Sequence, residues 1–295
     1  MKMSLPSLHP LRLLGLSLVL LLQSQVGTAA TLYVSHGGTA NQSLGSLTVD
    51  NGDVIRIDSL TGTATRVFDD DGFFDTSENV DAVHLLSNGN LLVSTTSNAK
   101  SGNGQHSFNH GDLIEVDISG STAEFVSVFL SSSDLYAGSV ENINAFSHDP
   151  AGSLFASVNS GPATANSLSF DDGDITRFEI SNPAGTASLY FDDDITFASS
   201  ANVDALSVLS ANSIAISTLA AESIAGISID RGDIVELTHD GTDWALSATL
   251  FDGSGALGFG TNVNLDAVHV VVPEPGTGAL LALGLVTLAS RRRVN

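Results

Sequence analysis

Four segments of this 295-residue chain begin alike and continue alike, and this repetition limits the fold more than any other feature. They open on Thr31-Leu-Tyr-Val-Ser35, Asn90-Leu-Leu-Val-Ser94, Ser153-Leu-Phe-Ala-Ser157 and Ser213-Ile-Ala-Ile-Ser217. A polar loop follows in each, then a Gly-Asp pair: Gly52-Asp53, Gly111-Asp112, Gly173-Asp174 and Gly232-Asp233. Next comes an apolar segment ending in Phe68, Phe129, Phe191 or Phe251. Each repeat finishes on Asn-φ-Asp-Ala or its variant, at Asn79–Ala82, Asn142–Ala145, Asn202–Ala205 and Asn264–Ala267. The Gly-Asp pairs are 59, 62 and 59 residues apart.

Within a repeat the pattern is that of short strands. Val54-Ile-Arg-Ile-Asp58 alternates apolar and polar residues, as a half-buried strand does, and Leu113–Asp117 and Ile234–Thr238 repeat the alternation. Turn formers such as Ser87-Asn88-Gly89 separate the runs, and no long stretch has helical period. Four-stranded units repeated around an axis make a β-propeller, so the sequence predicts an all-β, four-bladed propeller of about 60 residues per blade. Phase predicts closure: the body opens on the "Leu-Tyr-Val-Ser" strand and ends on Leu265–Val270, the strand that precedes it in every other repeat. Pairing the two would complete a blade from both ends of the body and remove two exposed edges. An open β-solenoid is the other arrangement for such repeats, although about 60 residues is long for one. The Asn-φ-Asp-Ala signature is similar to the Asp-Ala motif that opens the inner strand of hemopexin-type four-bladed propellers. The aromatic-rich second half of that repeat is missing, so the resemblance implies topology alone.

Flanking the body (residues 31–271) are two segments of different character. Residues 1–30 carry Lys2 and Arg12, the apolar stretch Leu13–Leu22, and the small residues Gly27, Thr28, Ala29 and Ala30. This is the anatomy of a secretory signal helix; its apolar core is too short for an ordinary membrane span, and cleavage after Ala29 or Ala30 fits it. Residues 272–295 run through Pro273, Glu274 and Pro275, an apolar stretch from Ala279 to Ala289, and Arg291, Arg292 and Arg293. This order resembles the PEP-CTERM sorting signal: a Pro-Glu-Pro motif, a short hydrophobic helix and a basic end. The resemblance implies export, an exosortase that recognises and cleaves the tail, and bacteria that make exopolysaccharide. A helix over residues 276–290 would reach about 22 Å, a marginal transmembrane helix against a hydrocarbon core of about 30 Å. The arginines would hold its end on the cytoplasmic side until processing; a simple C-terminal membrane anchor is the alternative to the sorting signal.

Outside these ends the body holds five basic and 32 acidic residues, a net charge of −27. Such a surface repels phosphate backbones and anionic lipid, which excludes nucleic acid as a partner and favours cations. The chain has no cysteine, so disulfides, cysteine nucleophiles and thiolate metal sites are excluded. There is no Gly-x-Ser-x-Gly elbow, no Gly-rich phosphate loop and no His-Glu-x-x-His, and we expect no enzyme here.

Asp81, Asn144, Asp204 and Asp266 occupy one equivalent position in the four repeats. If inner strands surround an axis, these groups converge, and Asp81, Asp204 and Asp266 would repel one another unless a cation, protons or hydrogen-bond donors relieved them. Hard oxygen ligands point to Ca²⁺ or Mg²⁺; turn capping is the structural alternative. The Gly-Asp pairs read as turns in which Gly supplies positive φ and Asp binds backbone N–H groups. The acidic run Asp69–Asp71, echoed at Asp192–Asp194, reads as a solvated turn, Phe73 and Phe74 interrupting a Ca²⁺-loop pattern. His84 and His269 are equivalent and fall on blades that closure makes neighbours, with Ser147 and Ser207 in the other copies. The reading as a whole is an exported surface or matrix protein that binds a polysaccharide, a cation or another surface protein. A secreted glycan-acting hydrolase or lyase is the alternative.

Overall fold

A computed structural model describes residues 30–38, 41–59, 61–136, 140–149, 151–197, 200–253 and 263–272. Residues 1–29 of the signal segment and 273–295 of the sorting tail, including Pro273, Glu274, Pro275 and Arg291–Arg293, lie outside them. Residues Ala30–Val272 form one compact unit of four antiparallel four-stranded sheets, the four-bladed propeller that the repeats predict. Blade 2 reads Val80–Leu85, Leu91–Thr95, Leu113–Asp117 and Glu124–Leu130 from axis to rim. Blade 3 is Ile143–His148, Ser153–Val158, Ile175–Glu179 and Ser188–Phe191, and blade 4 is Val203–Ser210, Ser213–Thr218, Ile234–His239 and Trp244–Phe251. Blade 1 takes its innermost strand, Asn264–Val271, from the far end of the body and pairs it with Thr31–Gly37, followed by Val54–Asp58 and Ala64–Phe68. Thr31 faces Val271 and Val34 faces Val268 in this closing pair.

Burial follows position in the blade. The second strand of blade 2, Leu91–Thr95, is buried at every residue, whereas the rim strand Glu124–Leu130 alternates between exposed and half-buried. A strand near the axis is covered on both faces by neighbouring blades, so it needs no polar face; a rim strand has one wet side. Four apolar clusters form the core, one between each pair of adjacent blades. Phe146, Leu154 and Phe178 of blade 3 meet Leu92 and Leu113 of blade 2 in one of them.

Three details differ from the sequence reading. The polar loop between the second and third strands of each repeat folds as a hairpin of its own: Gln42–Leu44 with Leu47–Val49, Ala99–Lys100 with Ser107–Phe108, Ala163–Ala165 with Leu168–Phe170, and Glu222–Ile224 with Ile227–Ile229. Its strands are too short for alternation to be visible. Single helical turns at Asp70–Phe73, Ser132–Leu135, Pro183–Thr186 and Asp193–Thr196 lie in the loops. Finally, Leu130 rather than Phe129 matches Phe68, Phe191 and Phe251, because Leu113 pairs with Leu130 as Val54, Ile175 and Ile234 pair with those phenylalanines.

Candidate functional site

The four Asn-φ-Asp-Ala segments open the four innermost strands, and a β-bulge in each re-aims the residue that matters. Val80 pairs with Thr95 and Ala82 with Ser94, leaving Asp81 as the extra residue. Asn144 and Asp204 stand at the same irregularity in blades 3 and 4. In the closing pair the break falls between Ser35 and Gly37, opposite Asp266. A bulge turns a side chain out of the ordinary alternation. Here it gathers Asp81, Asn144, Asp204 and Asp266 at one end of the axis, around a depression of about 350 Å³ shared with Asn79 and Asn264.

The groups are linked from blade to blade. Asn79 Nδ2 donates to Asp266 Oδ2 at 2.6 Å and to Asp81 Oδ1 at 3.3 Å. Asn264 Nδ2 donates to both Asp204 and Asp266. Asn142 hydrogen-bonds Asp81, which also accepts from Thr96 Oγ1 at 2.5 Å. In blade 3, where Asn144 replaces aspartate, the amide of Asn202 is turned so that its oxygen accepts from Asn144 Nδ2 at 2.7 Å. Each signature asparagine therefore serves the aspartate position of the preceding blade. The relief that the three carboxylates require comes in part from side-chain amides. Spending the amide N–H groups on carboxylates leaves acceptors over: Asn79 Oδ1, Asp81 Oδ2, Asn142 Oδ1, Asn144 Oδ1 and Asn264 Oδ1 are buried and meet no donor.

Burial, followed by the neighbouring carboxylates, pushes Asp204 up to about 8, and burial pushes Asp81 up to about 7. Asp266 is raised as well, again through burial. Gly37 is forced by this site, since a Cβ at that position would run into the Asp266 carboxylate.

The Gly-Asp pairs take the turn role expected of them, except that φ is positive at Gly52, Gly111 and Gly232 and not at Gly173. Oδ2 of Asp53, Asp112, Asp174 and Asp233 accepts from the backbone N–H three residues earlier at 2.9, 2.9, 3.1 and 3.0 Å. A Cβ at any of the four glycines would strike the carbonyl of Glu78, Glu141, Ala201 or Val263, the residue just before each signature asparagine. The turn thus braces the start of each innermost strand.

Further along the same strands a second set of contacts crosses between blades. Ser147 Oγ accepts from Val208 N and Ser207 Oγ from Val270 N, both at 3.0 Å, and His84 Nδ1 accepts from His148 N at 3.4 Å. The rings of His84 and His269 lie 4.3 Å apart across the predicted blade boundary. Burial lowers the pKa of both, that of His269 to about 4. His84 takes a backbone N–H from the next blade as Ser147 and Ser207 do, so His and Ser interchange there, whereas His269 is half-buried and its Nδ1 has no partner.

These two sets titrate with opposite sign. The axial acids have folded-state values above those of the unfolded chain, so their contribution is full below about pH 4 and is lost as pH rises through about 7 to 8. The histidines contribute above about 6.5 and lose it as pH falls towards 4. In metal-free buffer the melting temperature is therefore expected to fall between pH 6 and 9, and Asp204→Asn to flatten that fall. A wild-type curve that is level over this window would contradict the buried ring.

Comparison with known proteins bears on the tail first. Residues 271–293 match the PEP-CTERM protein-sorting motif. The chain is thus an exported, exosortase-targeted protein whose folded part is a four-bladed propeller. No curated protein matches it in sequence. Among solved structures, a plant albumin from Cicer arietinum showing hemagglutination is similar at 10% identity with a TM-score of 0.41, over 76% of this chain and 88% of the albumin. A protein of unknown function from Bacteroides caccae is similar at 10% identity and a TM-score of 0.33, over 83% of this chain and all of that one. Among the described residues no helix is long and apolar enough to cross a membrane; the apolar run 279–289 lies outside them.

Proposed function

We propose that the chain is a non-catalytic binding or structural propeller of the cell surface or extracellular matrix, and that its axial ring holds a hard divalent cation, Ca²⁺ first. The observation that supports this is the set of five buried oxygens without donors in a site whose ligand atoms are all oxygen. Amide and carboxylate oxygens are what Ca²⁺ takes, and the four innermost strands bring them around one depression. A cation there would present its open coordination positions to the hydroxyl and carboxylate oxygens of an exopolysaccharide or of another surface protein.

The test is thermal. Ca²⁺ at a hundredfold excess over its Kd should stabilise the purified protein by about 2.7 kcal/mol. Asp81→Asn, Asp204→Asn and Asp266→Asn combined should remove the share of the Ca²⁺ gain that belongs to the axial ring while preserving the fold, since blade 3 already carries Asn144 in this position. An unchanged Ca²⁺ response in the triple variant would place the binding elsewhere and remove the axial ring from the proposal.

A further inference from the structure

The same turn in blades 1 and 3 is neutralised in two different ways, and the difference points to a second site. In blade 1 Asp53, Asp69 and Asp70 have carboxylate oxygens within 4.8 Å of one another. Arg66 answers two of them, its Nη1 lying 3.2 Å from Asp53 and 3.3 Å from Asp69, while Asp70 Oδ1 stays buried without a donor. In blade 3 Asp171, Asp174 and Asp193 come equally close. Register puts Leu189 in the place of Arg66: Arg66 faces Ile55, and Leu189 faces the equivalent Thr176. Leu189 is exposed and supplies no charge. Among the described residues no ion pair reaches any of the three acids.

Asp193 is fully buried at the first position of its helical turn. Its Oδ2 accepts from Ala201 N at 2.6 Å, but Oδ1 is buried against Asp171 and meets no donor, and Asp171 Oδ1 is in the same condition. Blade 2 shows that the turn forms without two of these acids, since Asn109 and Ser132 stand where Asp171 and Asp193 do, while Asp112 keeps the place of Asp174. The carboxylates of Asp171 and Asp193 are therefore not a requirement of the local fold.

We propose that Asp171, Asp174 and Asp193 bind a divalent cation of the Ca²⁺ class between the Gly-Asp turn and the helical turn of blade 3. The cation answers Asp174 as the Arg66 guanidinium answers the equivalent Asp53 in blade 1. It ties the third strand of the blade to the loop leading into the innermost strand of blade 4, and so works as a clasp remote from the axial ring.

The experiment uses the Asp81→Asn, Asp204→Asn, Asp266→Asn protein as background, so that its outcome is separate from that of the axial ring. After chelator treatment and removal of the chelator, CaCl₂ is titrated at pH 8 while heat of binding and melting temperature are followed. One Ca²⁺ per chain is expected, with a rise of about 5 °C or more at a hundredfold excess over Kd. Asp193→Asn, which keeps an acceptor for Ala201 N, should abolish both. Leu189→Arg should also abolish both while raising the melting temperature in the absence of Ca²⁺, because it restores the blade 1 arrangement. A Ca²⁺ response that survives both substitutions overturns the proposal. So does a background protein that binds no Ca²⁺ and is stabilised only by acidification, which would mean that the acids share a proton.

Discussion

A chain ending after Leu265 is expected to lose the cooperative fold of the whole body, whereas one ending after Val272 should keep it. The two differ by seven residues, and both lack the sorting tail. The longer one retains the innermost strand of blade 1, in which Leu265, Ala267, Val268 and Val270 are buried in two of the four apolar clusters. Burying one Val or Leu side chain contributes about 1.5–3 kcal/mol, so losing the strand removes on the order of 5 kcal/mol before any backbone bond is counted. That is comparable to the entire stability of an ordinary domain. The loss also leaves Thr31–Gly37 with an open edge and uncovers the innermost strands of blades 2 and 4. Far-ultraviolet circular dichroism and urea unfolding measure it: the shorter chain should show no cooperative transition. Matching transitions in the two truncations would mean that closure contributes nothing to stability.

Replacing Pro273, Glu274 and Pro275 by alanine is expected to leave export intact and to convert most of the protein into an uncleaved, membrane-associated precursor. The match to the sorting motif over residues 271–293 is the ground for this, and the folded body supplies the contrast. The motif begins at Val271, the last residue of the closing strand, and its Pro273 and Pro275 each carry a ring that restricts backbone φ. Alanine at all three positions removes that restraint without touching a blade. Immunoblots of membrane and medium fractions would show the precursor accumulating; ordinary processing and release would rule out recognition through Pro-Glu-Pro.

The repeat, its phase and the closing pair were legible because each depends on residues close in sequence or on simple alternation. Val54–Asp58 alternates and proves to be a half-buried strand, and Leu265–Val270 was identified by its likeness to three other segments. The convergence of Asp81, Asp204 and Asp266 also followed from equivalence. What equivalence does not reveal is pairing. The bulge at Asp81 exists only as a mismatch between two strands, and the substitution of Leu130 for Phe129 at the rim follows from another such mismatch. The exchange of Arg66 for Leu189 is present in the letters, yet it acquires meaning only when Ile55 and Thr176 fix the register. Orphaned oxygens are beyond any sequence pattern, because they record where donors were spent.

The closing pair also sets an order of events. Thr31 and Val271 face each other, so the two ends of the body leave the propeller side by side. The chain is made from its N-terminus, and the strand that finishes blade 1 is the last part of the body to emerge on the far side of the membrane. Until then Thr31–Gly37 waits with one edge unpaired, exposed to whatever other strand comes first. A half-exported chain is therefore at its stickiest, and a closed ring certifies that translocation has run through to the residue where the sorting motif begins.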